Sequence, residues 1–180
     1  MKQKKKKKVA LVYCSGGRRA AEITDRTAIE GNCVSVMENY LEGILKCSSG
    51  CLGFGSCVSA CRLKAIHINS HGTAEVDPKA CVGCGLCVKA CPKNLIRLIP
   101  PDLAIMPRCS NHDKGADAKG VCQVSCISCR ICEKNCPVEA IHVTDNCAVI
   151  DEDLCISCGM CAVKCPWGTI VDRDGIFTVL

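Results

Sequence analysis

Apolar residues in this chain come in short runs. Val9-Ala10-Leu11-Val12-Tyr13 reads as a strand ending at Cys14-Ser15-Gly16-Gly17, and Leu103-Ala104-Ile105-Met106 is a second apolar run, ending near Cys109. Ile66-His67-Ile68 and Ile141-His142-Val143 alternate with period two, which predicts strands with His67 and His142 on the solvent face. Each opens a predicted hairpin, over 67–77 with a turn at His71-Gly72 and over 142–151 with a turn near Asp145-Asn146. Leu95-Ile96 and Thr169-Ile170 are shorter apolar pairs. No run approaches the roughly 18 apolar residues of a membrane span.

Pieces this short need another source of cohesion. The 180 residues hold 21 Cys against one Trp, two Tyr and two Phe, so cysteine chemistry has to supply much of what a core usually does. A disulfide scaffold belongs to secreted chains, and 1–13 lacks the h-region and cleavage site of a signal peptide. The expectation is a cytoplasmic chain whose clustered thiols bind metal.

The spacing narrows that to iron and sulfide. Cys81, Cys84, Cys87 and Cys91 read CxxCxxCxxxCP with Pro92; Cys126, Cys129, Cys132 and Cys136 repeat the frame with Pro137, and Cys155, Cys158, Cys161 and Cys165 with Pro166. A tight loop of this spacing aims three thiolates at one [4Fe–4S] cubane, and the fourth cysteine, expected to start a helical turn, reaches the neighbouring cluster. Zinc sites close with two CxxC-like pairs and have no use for the third cysteine of CxxCxxC, which counts against a zinc-stabilised interaction module.

A fourth segment is irregular: Cys47, Cys51, Cys57 and Cys61 are spaced CxxxCxxxxxCxxxC, with Arg62 where proline is expected. It is recognised by the residues beyond its last cysteine, since Ala65-Ile66-His67-Ile68 after Cys61 matches Ala140-Ile141-His142-Val143 after Cys136, and Leu95-Ile96 and Thr169-Ile170 lie at the same offset after Cys91 and Cys165. The expected architecture is α+β: two tandem two-cluster ferredoxin folds, 47–99 and 123–180, with a small cysteine-containing module from 9–46 and the linker 100–122, after a lysine-rich tail at 1–8. The crossed pattern of such ferredoxins gives Cys47, Cys51, Cys57 and Cys91 to cluster one and Cys81, Cys84, Cys87 and Cys61 to cluster two. Cluster three takes Cys126, Cys129, Cys132 and Cys165, and cluster four Cys155, Cys158, Cys161 and Cys136. Cys14, Cys33, Cys109 and Cys122 remain as the expected ligands of a fifth cluster, the bland reading being buried thiols packed as small hydrophobes. Cys147, on a predicted hairpin, is read as a small apolar residue.

The formal charge of +5 counts thiols as neutral. Each oxidised four-thiolate cluster adds about −2, so five would bring the chain to roughly −5, and nothing calls for nucleic acid. Six lysines among the first eight residues read as a solvated tail, with peripheral membrane contact or an acidic partner as the alternative. His67, His71, His112 and His142 are not needed as ligands. Gly85 and Gly159 come directly after the second cysteine of their motifs, where a small residue leaves amides free to approach sulfide. Arg130 holds that position in the third motif and is expected either to raise the potential of cluster three or to turn out to solvent. No acid–base or nucleophilic constellation and no nicotinamide or flavin motif is visible, so the chain has no catalytic site of its own to which hydride chemistry could be assigned.

Ala10–Gly17, the Cys47–Cys61 segment with Gly50-Cys51-Leu52-Gly53-Phe54-Gly55, and Cys109-Ser110-Asn111-His112-Asp113-Lys114-Gly115 are more specific than the ferredoxin frames. Through them the chain resembles the RnfB-type iron–sulfur component of Rnf-type ferredoxin:NAD oxidoreductases over essentially its whole length. The resemblance implies a polyferredoxin-type relay taking electrons from ferredoxin toward flavin- or NAD-binding partner subunits of an anaerobic complex. The family's membrane helix and further N-terminal cluster domain are not found, so a soluble form is expected. The other reading, an iron–sulfur subunit of a hydrogenase or molybdopterin oxidoreductase, is disfavoured because those pair distant motifs and here neighbours pair.

Overall fold

The computed structural model describes residues 7–177. The lysine-tail reading therefore falls mostly outside the described residues. The first half contains β1 (Val9–Val12), α1 (Cys33–Asn39), α2 (Ser56–Ala60), β2 (Ile66–Ile68), β3 (Ala74–Val76), α3 (Leu86–Ala90) and β4 (Ile96–Ile99). The second contains β5 (Ile105–Pro107), α4 (Gly115–Val121), α5 (Ile131–Lys134), β6 (Ile141–Thr144), β7 (Cys147–Ile150), α6 (Met160–Lys164) and β8 (Ile170–Asp172).

Four two-stranded antiparallel sheets repeat one arrangement twice: β1 with β4 and β2 with β3, then β5 with β8 and β6 with β7. The fold is α+β with two ferredoxin modules. Their boundaries differ from those expected, because β1 pairs Val9 with Ile99 and Val12 with Ile96, and β5 pairs Ile105 with Asp172 and Pro107 with Ile170. The strands read as parts of separate segments are thus the first strands of the two modules. Between each of these strands and its first cysteine loop lies an insertion, long in the first module and shorter in the second.

The short helices obey a backbone rule. Of these, α2, α3, α5 and α6 each carry the third cysteine of a motif, end before the fourth, and are entered through a left-handed residue: Gly55 (φ 72°), Gly85 (φ 79°), Arg130 (φ 57°) and Gly159 (φ 72°). The role of Gly85 and Gly159 is this reversal, which only glycine adopts without cost. Cys61, Cys91 and Cys165 close their helices in extended conformation, and each opens a turn, its carbonyl accepting from the amide of Lys64 (3.1 Å), Asn94 (3.1 Å) and Gly168 (3.3 Å) respectively. The β6–β7 hairpin turns through Asp145 (φ 47°) and Asn146 (φ 61°), two left-handed residues as a tight hairpin requires. His67 and His142 are exposed, as the alternation predicts.

Three apolar cores result. One joins Val12, Ile66, Leu95 and Ile99 with Met106 and Val171 of the second module, so the two modules share packing. A second is built on Ile105, Ile141, Val143 and Ile170. The third belongs to the insertions, where Ile29, Val36, Ile44 and Leu52 enclose Cys33, Cys47 and Cys122. The insertions are stitched together by backbone bonds, Ala21 donating to Val121 (2.8 Å) and Gln123 to Arg19 (3.0 Å). Arg26, which pairs with Glu22 at 3.0 Å, also donates to the Gly17 carbonyl at 2.9 Å.

Candidate iron–sulfur centres

Each module surrounds two cavities with cysteines. In the first, Cys61, Cys81, Cys84 and Cys87 line one with about 780 Å³ of empty space, part of it continuous with solvent. In the second, Cys126, Cys129, Cys132 and Cys165 line about 350 Å³, and Cys136, Cys155, Cys158 and Cys161 about 320 Å³. These three sets are the quartets expected for clusters two, three and four, each with a fourth cysteine reaching across from the other loop.

The remaining cavity of the first module is lined by Cys33, Cys51, Cys57 and Cys91, not by Cys47. The thiol of Cys47 is instead close enough to those of Cys14, Cys109 and Cys122 that their charge helps to push its pKa up. The expected quartets one and five thus exchange a member. The reason is local: Gly53 (φ 82°) and Gly55 (φ 72°) occupy the loop places of Gly83 (φ 69°) and Gly85 (φ 79°), which puts Phe54 where Cys84 stands in the neighbouring motif. Cys51, Cys57 and Cys61 are then the first, third and fourth cysteines of a loop whose second is missing. Cys33 fills the gap from the start of α1, its amide donating to Ser56 Oγ at 3.0 Å. Aligning the glycines would have exposed the vacancy at Phe54; the cysteine count conceals it.

The fifth quartet spans both insertions. A Cβ built on Gly16 would lie 3.2 Å from Cys122 Sγ and 3.6 Å from Cys14 Sγ, so glycine leaves the sulfurs their room. Its amide donates to Cys14 Sγ at 3.4 Å, and the Asn111 amide to Cys109 Sγ at 3.4 Å. Two further amides tie this quartet to its neighbours in matching fashion: Cys51 donates to Cys14 Sγ at 3.4 Å, and Cys126 to Cys109 Sγ at 3.3 Å. Elsewhere, Cys61, Cys91 and Cys136 each accept from the amide four residues on, at 3.3, 3.4 and 3.2 Å. Amide donors of this kind spread thiolate charge and tune the potential of a bound cluster.

Burial pushes the thiols of Cys47, Cys57 and Cys161 up to about 12, and those of Cys51 and Cys132 to about 11. Cysteines in such surroundings become thiolates when a cationic core compensates them, and binding therefore releases protons. Among the described residues no three Cys, His, Asp or Glu side chains converge as ligands of one metal ion. The quartets ring cavities instead, an arrangement that fits a cubane of four irons and four sulfides.

Cys147 is buried at 4% exposure. Its thiol donates to the Cys109 carbonyl at 3.3 Å and lies between the Cys109 and Cys126 sulfurs, whose pKa values it lowers while its own is raised. It is apolar in its packing, as expected, but it also bridges two cluster-lining residues. Arg130 pairs with Glu133 at 2.9 Å and is exposed, so its charge is met by a carboxylate beside the cavity of Cys129. His142 reaches the same Glu133 at 3.5 Å. Among the described residues no helix is long and apolar enough to cross a membrane.

Comparison with known proteins agrees with the geometry. Residues 46–98 and 80–141 match 4Fe-4S dicluster domains and 148–171 a 4Fe-4S binding domain. The RnfB-type component of the Na(+)-translocating ferredoxin:NAD(+) oxidoreductase complex of Acetobacterium woodii is 41% identical over 82% of this chain and 44% of its own length. Its counterpart in the proton-translocating ferredoxin:NAD(+) oxidoreductase complex of Clostridium ljungdahlii is 43% identical over 82% of this chain and 51% of its own. The corresponding component of the ion-translocating oxidoreductase complex of Methanosarcina acetivorans is 37% identical over 82% and 55%. The chain spans about half the length of these relatives. It is an iron–sulfur protein of the [4Fe–4S] ferredoxin type, related to the RnfB components of ion-translocating oxidoreductase complexes.

Proposed function

We propose that the chain holds five [4Fe–4S] clusters and relays single electrons between ferredoxin and flavin- or NAD-binding subunits of an oxidoreductase complex. The observation that carries this reading is the pair of matching amide–sulfur contacts, Cys51 to Cys14 and Cys126 to Cys109, which join the fifth quartet to one quartet of each module. The quartets then succeed one another as two, one, five, three and four. Bound clusters would supply one-electron chemistry at low potential, on the order of −400 mV within a wide range.

The protein's part is to hold and shield. Cys33, Cys51, Cys57 and Cys91, with Cys14, Cys47, Cys109 and Cys122, form the middle of the series, where every cysteine is buried or half-buried. Cys84, Cys129 and Cys158 are exposed, so the quartets they belong to are the ones that partners can approach. Membership of a complex is supported by relatives that this chain matches over about half their length.

Anaerobic purification with iron and acid-labile sulfide analysis tests it. About twenty irons and as many sulfides per chain are expected. About sixteen removes the fifth cluster, and stoichiometric zinc without sulfide defeats the whole reading.

A further inference from the structure

The two quartets at the ends of the series are pseudo-equivalent, and their rims differ in charge. After the fourth cysteine, the first module has Arg62, Leu63 and Lys64 where the second has Pro137, Val138 and Glu139. Two residues before the first cysteine of the loop, Lys79 stands where the second module has Asp153. All three cations are exposed, and among the described residues no ion pair engages them.

Lys8 adds to this rim. A Cβ on Gly83 would lie 2.3 Å from the Lys8 carbonyl oxygen, so the backbone of Lys8 rests on the loop beside exposed Cys84. Between the cations lies an apolar collar, with Val82 60% and Leu63 53% exposed. A small apolar centre inside a ring of one sign suits brief, oriented encounters: charge steers the approach and the apolar patch allows close contact.

We infer that the basic mouth around Cys84 is the docking surface for an acidic one-electron carrier protein. The inference rests on the relay reading. Nucleic acid or anionic lipid would also answer the charge, but neither exchanges electrons with the quartet that the rim surrounds. The mouth around Cys158, with Glu139 and Asp153, repels the same carrier and is left for a partner of different charge.

The test is stopped-flow reduction of the full, cluster-loaded chain by a reduced acidic two-cluster ferredoxin, with reduced methyl viologen as a small cationic donor. Arg62→Glu with Lys64→Glu should lower the second-order rate with ferredoxin about ten-fold at low ionic strength. The difference should fade as salt screens the rim, and the rate with viologen should hold or rise. Equal iron content and EPR midpoints in both proteins establish that the clusters are intact. Glu139→Lys with Asp153→Lys should change the ferredoxin rate less than about two-fold. An unchanged rate in the first variant, or a ten-fold gain in the second, overturns the assignment. So does a rate loss accompanied by loss of self-association in light scattering, which would assign the basic mouth to the acidic rim of a second copy. A chain without iron and sulfide sinks the relay reading itself, before any rate is measured.

Discussion

The loop from Cys51 to Cys57 and the loop from Cys81 to Cys87 have the same backbone, entered through equivalent left-handed glycines, yet one is closed and the other open. The difference is one position: Cys84 is exposed, whereas its counterpart Phe54 leaves the fourth thiol to come from buried Cys33. Replacing a loop cysteine with one from an inserted helix covers the cavity, while preserving four sulfurs around it. A solvent-facing centre becomes an interior one by moving a ligand, without redesign of the loop.

Removing that ligand should give the largest effect. Cys33→Ala should abolish one low-potential EPR signal and lower the iron content, and adding Cys57→Ala should remove no further signal because both belong to one quartet. Cys47→Ala with Cys57→Ala should remove two. If Cys33 with Cys57 removes two and Cys47 with Cys57 one, the exchange between quartets is wrong. Restoring the ordinary loop sharpens the comparison: Phe54→Cys in the Cys33→Ala background should recover the lost signal in a form more accessible to solvent oxidants.

The glycines separate the loops next. A Cβ on Gly53 would meet the Gly72 carbonyl oxygen at 2.5 Å at a φ of 82°, whereas one on Gly85 finds nothing nearer than Leu98 Cδ1 at 3.8 Å. Gly53→Ala should cost about 3 kcal/mol and Gly85→Ala about 1 kcal/mol in denaturant unfolding of the loaded protein. Equal costs would mean that the closed loop is no tighter than the open one.

In the second module, burial of Asp172 works against its ionisation. The amides of Asp174 (3.0 Å), Ile176 (2.6 Å) and Phe177 (2.8 Å) donate to it and together hold its carboxyl below the usual 3.8. Since the folded value is depressed, the stabilisation is present above pH 3.8 and is lost as pH falls through the folded value. Asp172→Asn should lower the denaturation midpoint at neutral pH and flatten the acid limb of the stability profile, and a profile as steep as that of the parent chain would remove the carboxylate's part. Smallest is Arg130→Gly, which relieves a left-handed arginine and should stabilise by about 0.5–1 kcal/mol. With Glu133 already opposing its charge, the midpoint of the adjoining cluster should stay within the error of an EPR titration.

Much of this was legible in residue order. Three CxxCxxCxxxCP frames and the repeated apolar tetrads specify two crossed modules, because loop spacing and strand period are local properties. The features that escaped depend on contacts distant in sequence. The membership of β1 in the first sheet is decided by pairing with β4. Cys33 and Cys47 cannot be sorted by counting cysteines, and the folded insertions sort them. Arg130 is the local exception, since its partner Glu133 lies three residues on and α5 brings the two together. Cys147 looks like a filler until the β6–β7 hairpin sets its thiol between two others.

The fifth quartet draws Cys14 and Cys47 from the first insertion and Cys109 and Cys122 from the second. Chain order places every cysteine of the other two first-half cavities, up to Cys91, ahead of Cys109 and Cys122. The central site therefore waits, half formed, for the remainder of the polypeptide. Among these three sites the join between modules is the last to have all its ligands during synthesis, and a chain that stopped short of residue 109 would lack two of the four.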